Sequence, residues 1–148
     1  MRFLERERAT VAKLLPGLDE SLRALSLMEL EGPSSPGIGL FRDSGGPGLL
    51  VPESWQGRGA TALDALRVQR ALGSRAPSLA VATTMHHFSM ATLPALITDE
   101  GMKWMLVEGV ASANQIVASG FAEERPDGGI LSPSMTATEG PTGGWSAG

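Results

Sequence analysis

The stretch VPESWQGRGA at residues 51–60 places one proline, one tryptophan and two glycines within ten positions. Proline fixes its own φ angle and glycine tolerates left-handed backbone, so this composition predicts a compact turn and not a helix or a strand. The stretch follows a glycine-rich run at residues 45–48 and precedes a segment with helical periodicity. Turns of this kind position a ligand or a neighbouring element. We therefore expect residues 51–60 to fix where a ligand or a neighbouring domain sits.

Apolar residues recur at helical spacing on the amino-terminal side of this turn. The pattern predicts helices over residues 3–15, 19–32 and 35–45, of which the first ends before Pro16 and Gly17. Asp19 is the expected N-cap of the second helix, and Gly32 with Pro33 is expected to close it. The amino-terminal third of the chain is therefore predicted to be helical.

Three more helices are predicted after the turn. Thr61, with Asp64 three residues later, resembles a capping box for a helix over residues 62–73. Pro77 suits the first turn of the next helix, which runs toward Pro94 and is apolar on nearly all sides. Thr98 is the expected cap of the last helix. Its predicted buried side consists of Met102, Met105, Leu106 and Val110.

The pattern changes beyond about residue 113. Residues 115–121 and 130–140 are short runs rich in Val, Ile, Ser and Thr, with PDGG between them as a turn signal, and residues 143–148 resemble a further strand. The predicted fold class is α+β, with a helical amino-terminal domain at 1–113 and the beginning of a β domain at 114–148. Two or three strands cannot bury a hydrophobic face alone. We therefore expect this β domain to be incomplete.

Composition excludes several function classes. Twelve basic and sixteen acidic residues give a net charge of −4 without basic blocks, which disfavours a nucleic-acid partner. The absence of cysteine excludes disulfides, thiolate zinc sites and a cysteine nucleophile. The charged start lacks the apolar core of a signal peptide, and histidines and a proline interrupt the most apolar stretch, residues 78–97. We expect a cytoplasmic protein that does not enter the membrane.

The order of these features resembles the amino-terminal part of the acyl-CoA dehydrogenase family. In that family a helical domain leads to a loop reading V-P-E-x-Y-G-G-x-G, which is followed by a helix, a buried helix, a helix that opens with acidic residues, and a β domain that begins at the flavin. The buried helix corresponds to residues 77–87 and the acidic opening to residues 97–106. The resemblance covers essentially the whole chain. The positions that match the loop are Val51, Pro52, Glu53, Trp55, Gly57 and Gly59.

The resemblance implies a helical domain followed by the first strands of a β-barrel domain, with the family's carboxy-terminal helical bundle absent from this sequence. It also implies FAD as cofactor, bound where the β domain begins. The family's T-E-P-x-x-G-S pattern falls on residues 123–129, where Glu123, Arg125 and Gly129 replace its threonine, proline and serine. The positions expected to bind the cofactor are Phe121, Ala122, Glu123, Glu124, Gly128 and Gly129.

The main function that the resemblance implies is oxidation of an acyl thioester, carried by coenzyme A or an acyl carrier protein, to its α,β-enoyl form. The catalytic base of that reaction is expected beyond Gly148, so no catalytic residue is assigned in this chain, which alone is expected to be inactive. An electron-accepting flavoprotein is an expected partner. The chain is further expected to form a homo-oligomer or to be completed by another segment.

Two alternative functions remain open. The same fold serves flavin-dependent monooxygenases, which use reduced flavin and oxygen on small molecules and need no thioester-binding serine; the replacement at Gly129 is compatible with them. In the other alternative the chain is a non-catalytic helical module that contributes an assembly surface. Dehydrogenation requires a carboxylate over the flavin, and the presence or absence of that carboxylate distinguishes the dehydrogenase from the monooxygenase.

His86 and His87 are the candidate substrate-pocket residues, because the family's buried helix approaches the flavin and acyl pocket. The ordinary alternative is a pair of hydrogen-bonded histidines in the core. No metal site is expected here, since adjacent helical residues point about 100° apart and no nearby carboxylate offers a third ligand. Glu123 and Glu124 have two open interpretations, a contact to the flavin pyrimidine or a solvated loop pair.

Overall fold

The computed structural model describes residues 3–118, 136–141 and 145–147, and this part of the chain is mostly helical. The chain divides into two compact units, residues 1–118 and 119–148. No helix in the described ranges has the length and apolar character that crossing a membrane requires. The helices of the first unit are α1 Glu5–Leu14, α2 Leu18–Arg23, α3 Leu27–Glu31, α4 Gly37–Asp43, α5 Ala62–Gly73, α6 Pro77–Leu96 and α7 Glu100–Ser112.

The larger of two apolar cores, which we call the first core, is formed by α1 to α5 and the start of α6. Phe41, from α4, is fully buried in it, and α1 packs along α5. An ion pair lies at the edge of the first core. The guanidinium of Arg75 donates to both carboxylate oxygens of Asp19, with Nη2 2.9 Å from Oδ2. The other large side chains fully buried in the first core are Val11, Leu15, Leu18, Leu22, Leu49, Val68 and Leu72.

The region from residue 45 to residue 60 forms the compact turn that its composition predicts. Two short 3-10 turns, Gly46–Gly48 and Glu53–Trp55, are closed by backbone hydrogen bonds from Arg58 N–H to the Gly48 carbonyl and from Gly59 N–H to the Val51 carbonyl. A Cβ atom on Gly57 would lie 2.0 Å from the Val51 carbonyl oxygen. Only glycine permits this close approach, which brings the two ends of the turn together.

A smaller cluster, which we call the second core, consists of Val51, Met90, Val107, Val110 and Ala111. The predicted buried side of α7 is largely wrong, because Met102, Met105 and Leu106 are exposed and Val107, Val110 and Ala111 face inward. Helix α6 is apolar as predicted, yet Val81, Met85 and Phe88 on one of its faces are exposed. The second core therefore covers only one side of each helix.

Several predicted boundaries need correction. Residues 19–32 form two helices instead of one, because Ser26 accepts from Glu29 N–H in a capping box that starts α3. Asp19 lies inside α2, where it pairs with Arg75, and does not cap it. Asp99, one residue later than predicted, caps α7 by accepting from Met102 N–H. The capping box of Thr61 and Asp64 is confirmed.

The described part of the second unit is a short antiparallel hairpin. Strand β1, Ala137–Glu139, pairs with β2, Trp145–Ala147, in a register that places Thr138 opposite Ser146. Both lie in runs predicted to be strands. Residues 115–118, also predicted as strand, have no strand pairing, and residues 119–121 of that run lie outside the described ranges.

Candidate functional site

The two candidate histidines lie in the middle of α6, and both are buried, with 1% of His86 and 6% of His87 exposed. Their ring centres are 5.6 Å apart. Because consecutive helical residues point about 100° apart, the two rings meet different parts of the fold. Their surroundings assign them different roles.

His86 is a fully satisfied structural residue. Its Nδ1 accepts from the backbone N–H of Val117 at 3.0 Å, so the ring proton must reside on Nε2, which lies 2.9 Å from the Pro47 carbonyl oxygen and donates to it. These two bonds fasten α6 to the glycine-rich turn and to the segment that follows α7. His86 has no ring nitrogen left for a ligand.

His87 belongs to a short hydrogen-bonded chain that begins at Thr83. The Thr83 hydroxyl donates to the Leu79 carbonyl at 2.9 Å and so accepts from Gln69 Nε2 at 3.1 Å. The same amide nitrogen lies 2.7 Å from Nδ1 of His87 and can only donate to it. We therefore assign the neutral His87 ring a proton on Nε2.

The hydrogen bonds among Thr83, Gln69 and His87 leave one donor and one acceptor unused. Nε2 of His87 and Oε1 of Gln69 are both buried, and neither has a hydrogen-bond partner within the described residues. An unpaired buried polar atom costs about 1–3 kcal/mol, so such atoms in a native structure indicate a missing partner, either water or a ligand.

Both residues line an open groove of about 350 Å³ between α5 and α6. The volume is in the range of small-molecule sites, roughly 300–1,000 Å³. Apolar side chains, Leu50, Leu66 and Phe88 among them, make up most of the wall. Thr84 also lines the groove, and its hydroxyl already donates to the Ala80 carbonyl at 2.8 Å. No charged side chain from the described residues lines the groove.

Burial keeps both histidines uncharged. Burial, and secondarily the neighbouring His86, lowers the pKa of His87 to about 4. Burial also lowers the pKa of His86, and the hydrogen bond to the Pro47 carbonyl opposes that shift only in part. At neutral pH the groove therefore presents a neutral imidazole.

The other predicted site residues lie elsewhere in the chain. The expected flavin contacts Phe121, Ala122, Glu123, Glu124, Gly128 and Gly129 all lie outside the described residues, so the described geometry contains no flavin contact to compare with them. Among the described residues, no three His, Asp or Glu side chains gather in a way that could hold a metal ion.

Gln69 and Thr83 were not predicted as site residues. Gln69 lies on α5 among arginines and alanines, and its spacing suggested only a helical position. Thr83 lies four residues before His87, one helical turn away, which is a signal that sequence reasoning could have used. Gln69 comes from a different helix, and only the packing of α5 on α6 brings it to the ring.

Comparison with known proteins identifies a relative of this chain. The chain is 49% identical over 144 residues to isobutylamine N-hydroxylase from Streptomyces viridifaciens, an alignment that covers 93% of this chain and 38% of the relative. No family model matches the chain, and no solved structure matches it. The chain is thus homologous, over nearly all of its own length, to a little over a third of an amine N-hydroxylase.

Proposed function

We propose that this chain is part of a flavin-dependent monooxygenase that hydroxylates the nitrogen of a primary aliphatic amine. The observation that carries the proposal is the 49% identity to isobutylamine N-hydroxylase across 93% of the chain. Since the chain spans 38% of that relative, the activity is proposed for the protein to which the chain contributes and not for residues 1–148 alone.

The reaction inserts one oxygen atom of O₂ into an N–H bond of the amine and releases the other as water. In balance, R–NH₂, O₂, two electrons and two protons give R–NHOH and H₂O. A reduced flavin, when bound, supplies the electrons; FAD is the form that the resemblance to acyl-CoA dehydrogenases implies. The proposed role of this chain is to provide helical wall and substrate contacts around that chemistry.

Two observations favour oxygenation over thioester dehydrogenation. The relative carries an amine N-hydroxylase name. In addition, Glu123, Arg125 and Gly129 depart from the T-E-P-x-x-G-S pattern of the dehydrogenases, and the lost serine is the one that the resemblance assigns to thioester binding. An amine substrate has no thioester carrier for such a serine to hold. The monooxygenase alternative therefore replaces the dehydrogenase as the leading hypothesis.

The histidines divide between structure and substrate binding in this proposal. His86 is a positioning residue, because both of its ring nitrogens are used by Pro47 and Val117. His87 lines the apolar groove and keeps one buried ring N–H unused. The substrate-pocket role predicted for both residues is thus proposed for His87 alone.

A direct assay tests the function. The complete protein, supplied with photochemically reduced FAD, O₂ and isobutylamine, is expected to yield a product 16 mass units heavier than the amine, as the balance above requires. With short-chain acyl-CoA and oxidised FAD under anaerobic conditions, we expect no bleaching of the flavin absorbance. Bleaching by acyl-CoA without any hydroxylamine formation would overturn the proposal in favour of the dehydrogenase.

A further inference from the structure

We propose that the groove between α5 and α6 binds a short-chain primary amine in its uncharged form, with Gln69 Oε1 accepting an amine N–H and His87 Nε2–H donating to the amine nitrogen. This inference rests on the proposed function, because it identifies the residues and the protonation state by which that enzyme would select its substrate. Nothing in the comparison with isobutylamine N-hydroxylase assigns either residue.

The first argument is the complementarity of hydrogen bonds. The hydrogen bonds that link Thr83, Gln69 and His87 fix the His87 proton on Nε2 and leave Gln69 with a free carbonyl oxygen. A ligand that satisfies both atoms must accept one hydrogen bond and donate another. A neutral amine does so, since it has one lone pair and two N–H bonds. An alkylammonium ion has no lone pair and would leave the His87 N–H unsatisfied.

The second argument is charge. No carboxylate lines the groove, and His87 is uncharged, so an ammonium ion there would lose its hydration without gaining a counter-ion. The other ionisable groups on α5 and α6 are Asp64, Arg67, Arg70 and His86, and none of them lines the groove. Arg67 pairs with Asp64, and Arg70 pairs with Glu7 of α1. The surroundings therefore favour the uncharged form.

The third argument is the apolar wall. Leu50, Ala65, Leu66 and Ala91 surround the two polar residues with hydrocarbon that suits an alkyl tail. The two unused atoms are themselves covered from solvent, and Phe88, half-exposed, lines the same wall. A water bound to the same pair would be the molecule that the amine displaces.

Selection of the uncharged amine agrees with the chemistry of N-hydroxylation. The nitrogen becomes bonded to oxygen through its lone pair, which the ammonium form lacks. The hydrogen bond from His87 to that lone pair must open before the nitrogen reacts. His87 and Gln69 are thus binding residues that choose the protonation state of the substrate and take no part in oxygen transfer.

Calorimetric titration with isobutylamine tests the inference without turnover. The dissociation constant of the complete protein is measured from pH 6.5 to 9.5 with the flavin oxidised. An alkylammonium group has a pKa near that of lysine, about 10.4, so binding of the uncharged form strengthens the apparent affinity about tenfold per pH unit across this range. His87, with its pKa of about 4, does not titrate in the same range. A flat profile or absent binding would overturn the inference.

Gln69→Met and Thr84→Val form a matched pair of groove variants. The first removes the acceptor at similar side-chain length, together with the amide nitrogen that bonds Thr83 and His87, and is expected to weaken binding of isobutylamine by at least about three- to tenfold, the cost of one neutral hydrogen bond. The second removes a hydroxyl already used by the Ala80 carbonyl and is expected to leave affinity unchanged. Equal effects of the two variants would contradict the inference. Thermal unfolding of each variant shows whether the fold is retained.

The two proposals fail separately. If the wild-type protein forms hydroxylamine but binds isobutylamine with no dependence on pH, the monooxygenase function stands and the assignment to Gln69 and His87 falls. If binding strengthens with pH and depends on Gln69 but no hydroxylamine forms, the groove binds the uncharged amine and the proposed reaction is wrong. Binding of isobutanol serves as the reference, because an alcohol has the same donor and acceptor but does not titrate in this range.

Discussion

The first core and the second core are built from similar residues but are closed to very different extents. In the first core, Phe41 of α4 is fully buried among side chains from α1, α2 and α5, and an ion pair joins Asp19 to Arg75 at the edge of the core. In the second core, α7 buries Val107 and Val110 against Val51 while its other face leaves Met102, Trp104 and Met105 exposed.

This difference shows which part of the chain stabilises itself. Apolar residues that are buried contribute free energy of folding in proportion to the area removed from water, and exposed ones contribute almost nothing. The exposed apolar face of α6 and α7 exceeds the scattered single residues of an ordinary surface. Stability in this unit should therefore depend mainly on the first core, and substitutions should separate the two regions.

The largest expected effect tests the first core. Phe41→Ala should lower the free energy of unfolding by about 3–5 kcal/mol, because a fully buried ring is replaced by a cavity. Urea unfolding followed by circular dichroism measures the change. Met105→Ala, on the exposed face of α7, is the control and should change stability by less than about 0.5 kcal/mol. Comparable losses at the two positions would show that the exposed face of α7 is covered and contributes to stability as the first core does.

The next effect concerns the turn that joins the cores. Gly57→Ala should cost about 3 kcal/mol, since its Cβ would lie 2.0 Å from a backbone oxygen of Val51 that cannot move aside cheaply. Gly39→Ala is the matched control, because a Cβ at that helical position meets nothing within 4 Å. Thermal unfolding of both variants provides the comparison. A tolerated Gly57→Ala would mean that the close approach does not fix the turn.

The third effect is a dependence on pH, carried by the two histidines between the cores. Both have pKa values below the usual 6.5 in the folded state, so the unfolded chain binds more protons as the pH falls. Their stabilisation is fully present above pH 6.5. The contribution of His87 should decline between pH 6.5 and its folded pKa of about 4, by up to about 1.4 kcal/mol per pH unit, and His86, whose pKa is also lowered by burial, adds a loss in the same direction.

Unfolding free energies at pH 7, 6 and 5 check this prediction. A His87→Gln variant should show a shallower slope than the wild type, and an unchanged slope would contradict the assignment to His87. Asp19 has a pKa lowered chiefly by its hydrogen bond from Arg75, so its contribution is lost at still lower pH and does not cause the slope between pH 7 and 5.

The smallest expected effect is a change in stability on substitution of a glycine in α7. Gly109→Ala should stabilise the protein by about 0.5–1 kcal/mol, because alanine favours a helix and its Cβ meets no atom within 4 Å. Gly101→Ala is the control, since its Cβ would lie 3.3 Å from the Asp99 oxygen that caps the helix. A destabilising Gly109→Ala, measured by thermal unfolding, would indicate that another element packs closely on this part of α7.

Local sequence determined the helices and the turn. Capping by Thr61 and Asp64, the proline start of α6 and the glycine-rich turn depend on contacts within a few residues, which a sequence displays directly. The same locality explains the errors. A capping box at Ser26 divides a segment whose apolar spacing alone reads as one helix, and Asp99 competes successfully with Thr98 as the cap of α7.

The tertiary structure alone decided which apolar faces are buried and which polar atoms remain unpaired. Helical spacing marks an apolar stripe on α7 but cannot show which neighbour covers it, and Met102, Met105 and Leu106 are left exposed. In the same way, the sequence placed two histidines on one helix without distinguishing them. His86 meets partners 39 and 31 residues away, and His87 meets Gln69 across two helices. Long-range hydrogen bonds of this kind arise from packing, so they appear only once the chain is folded.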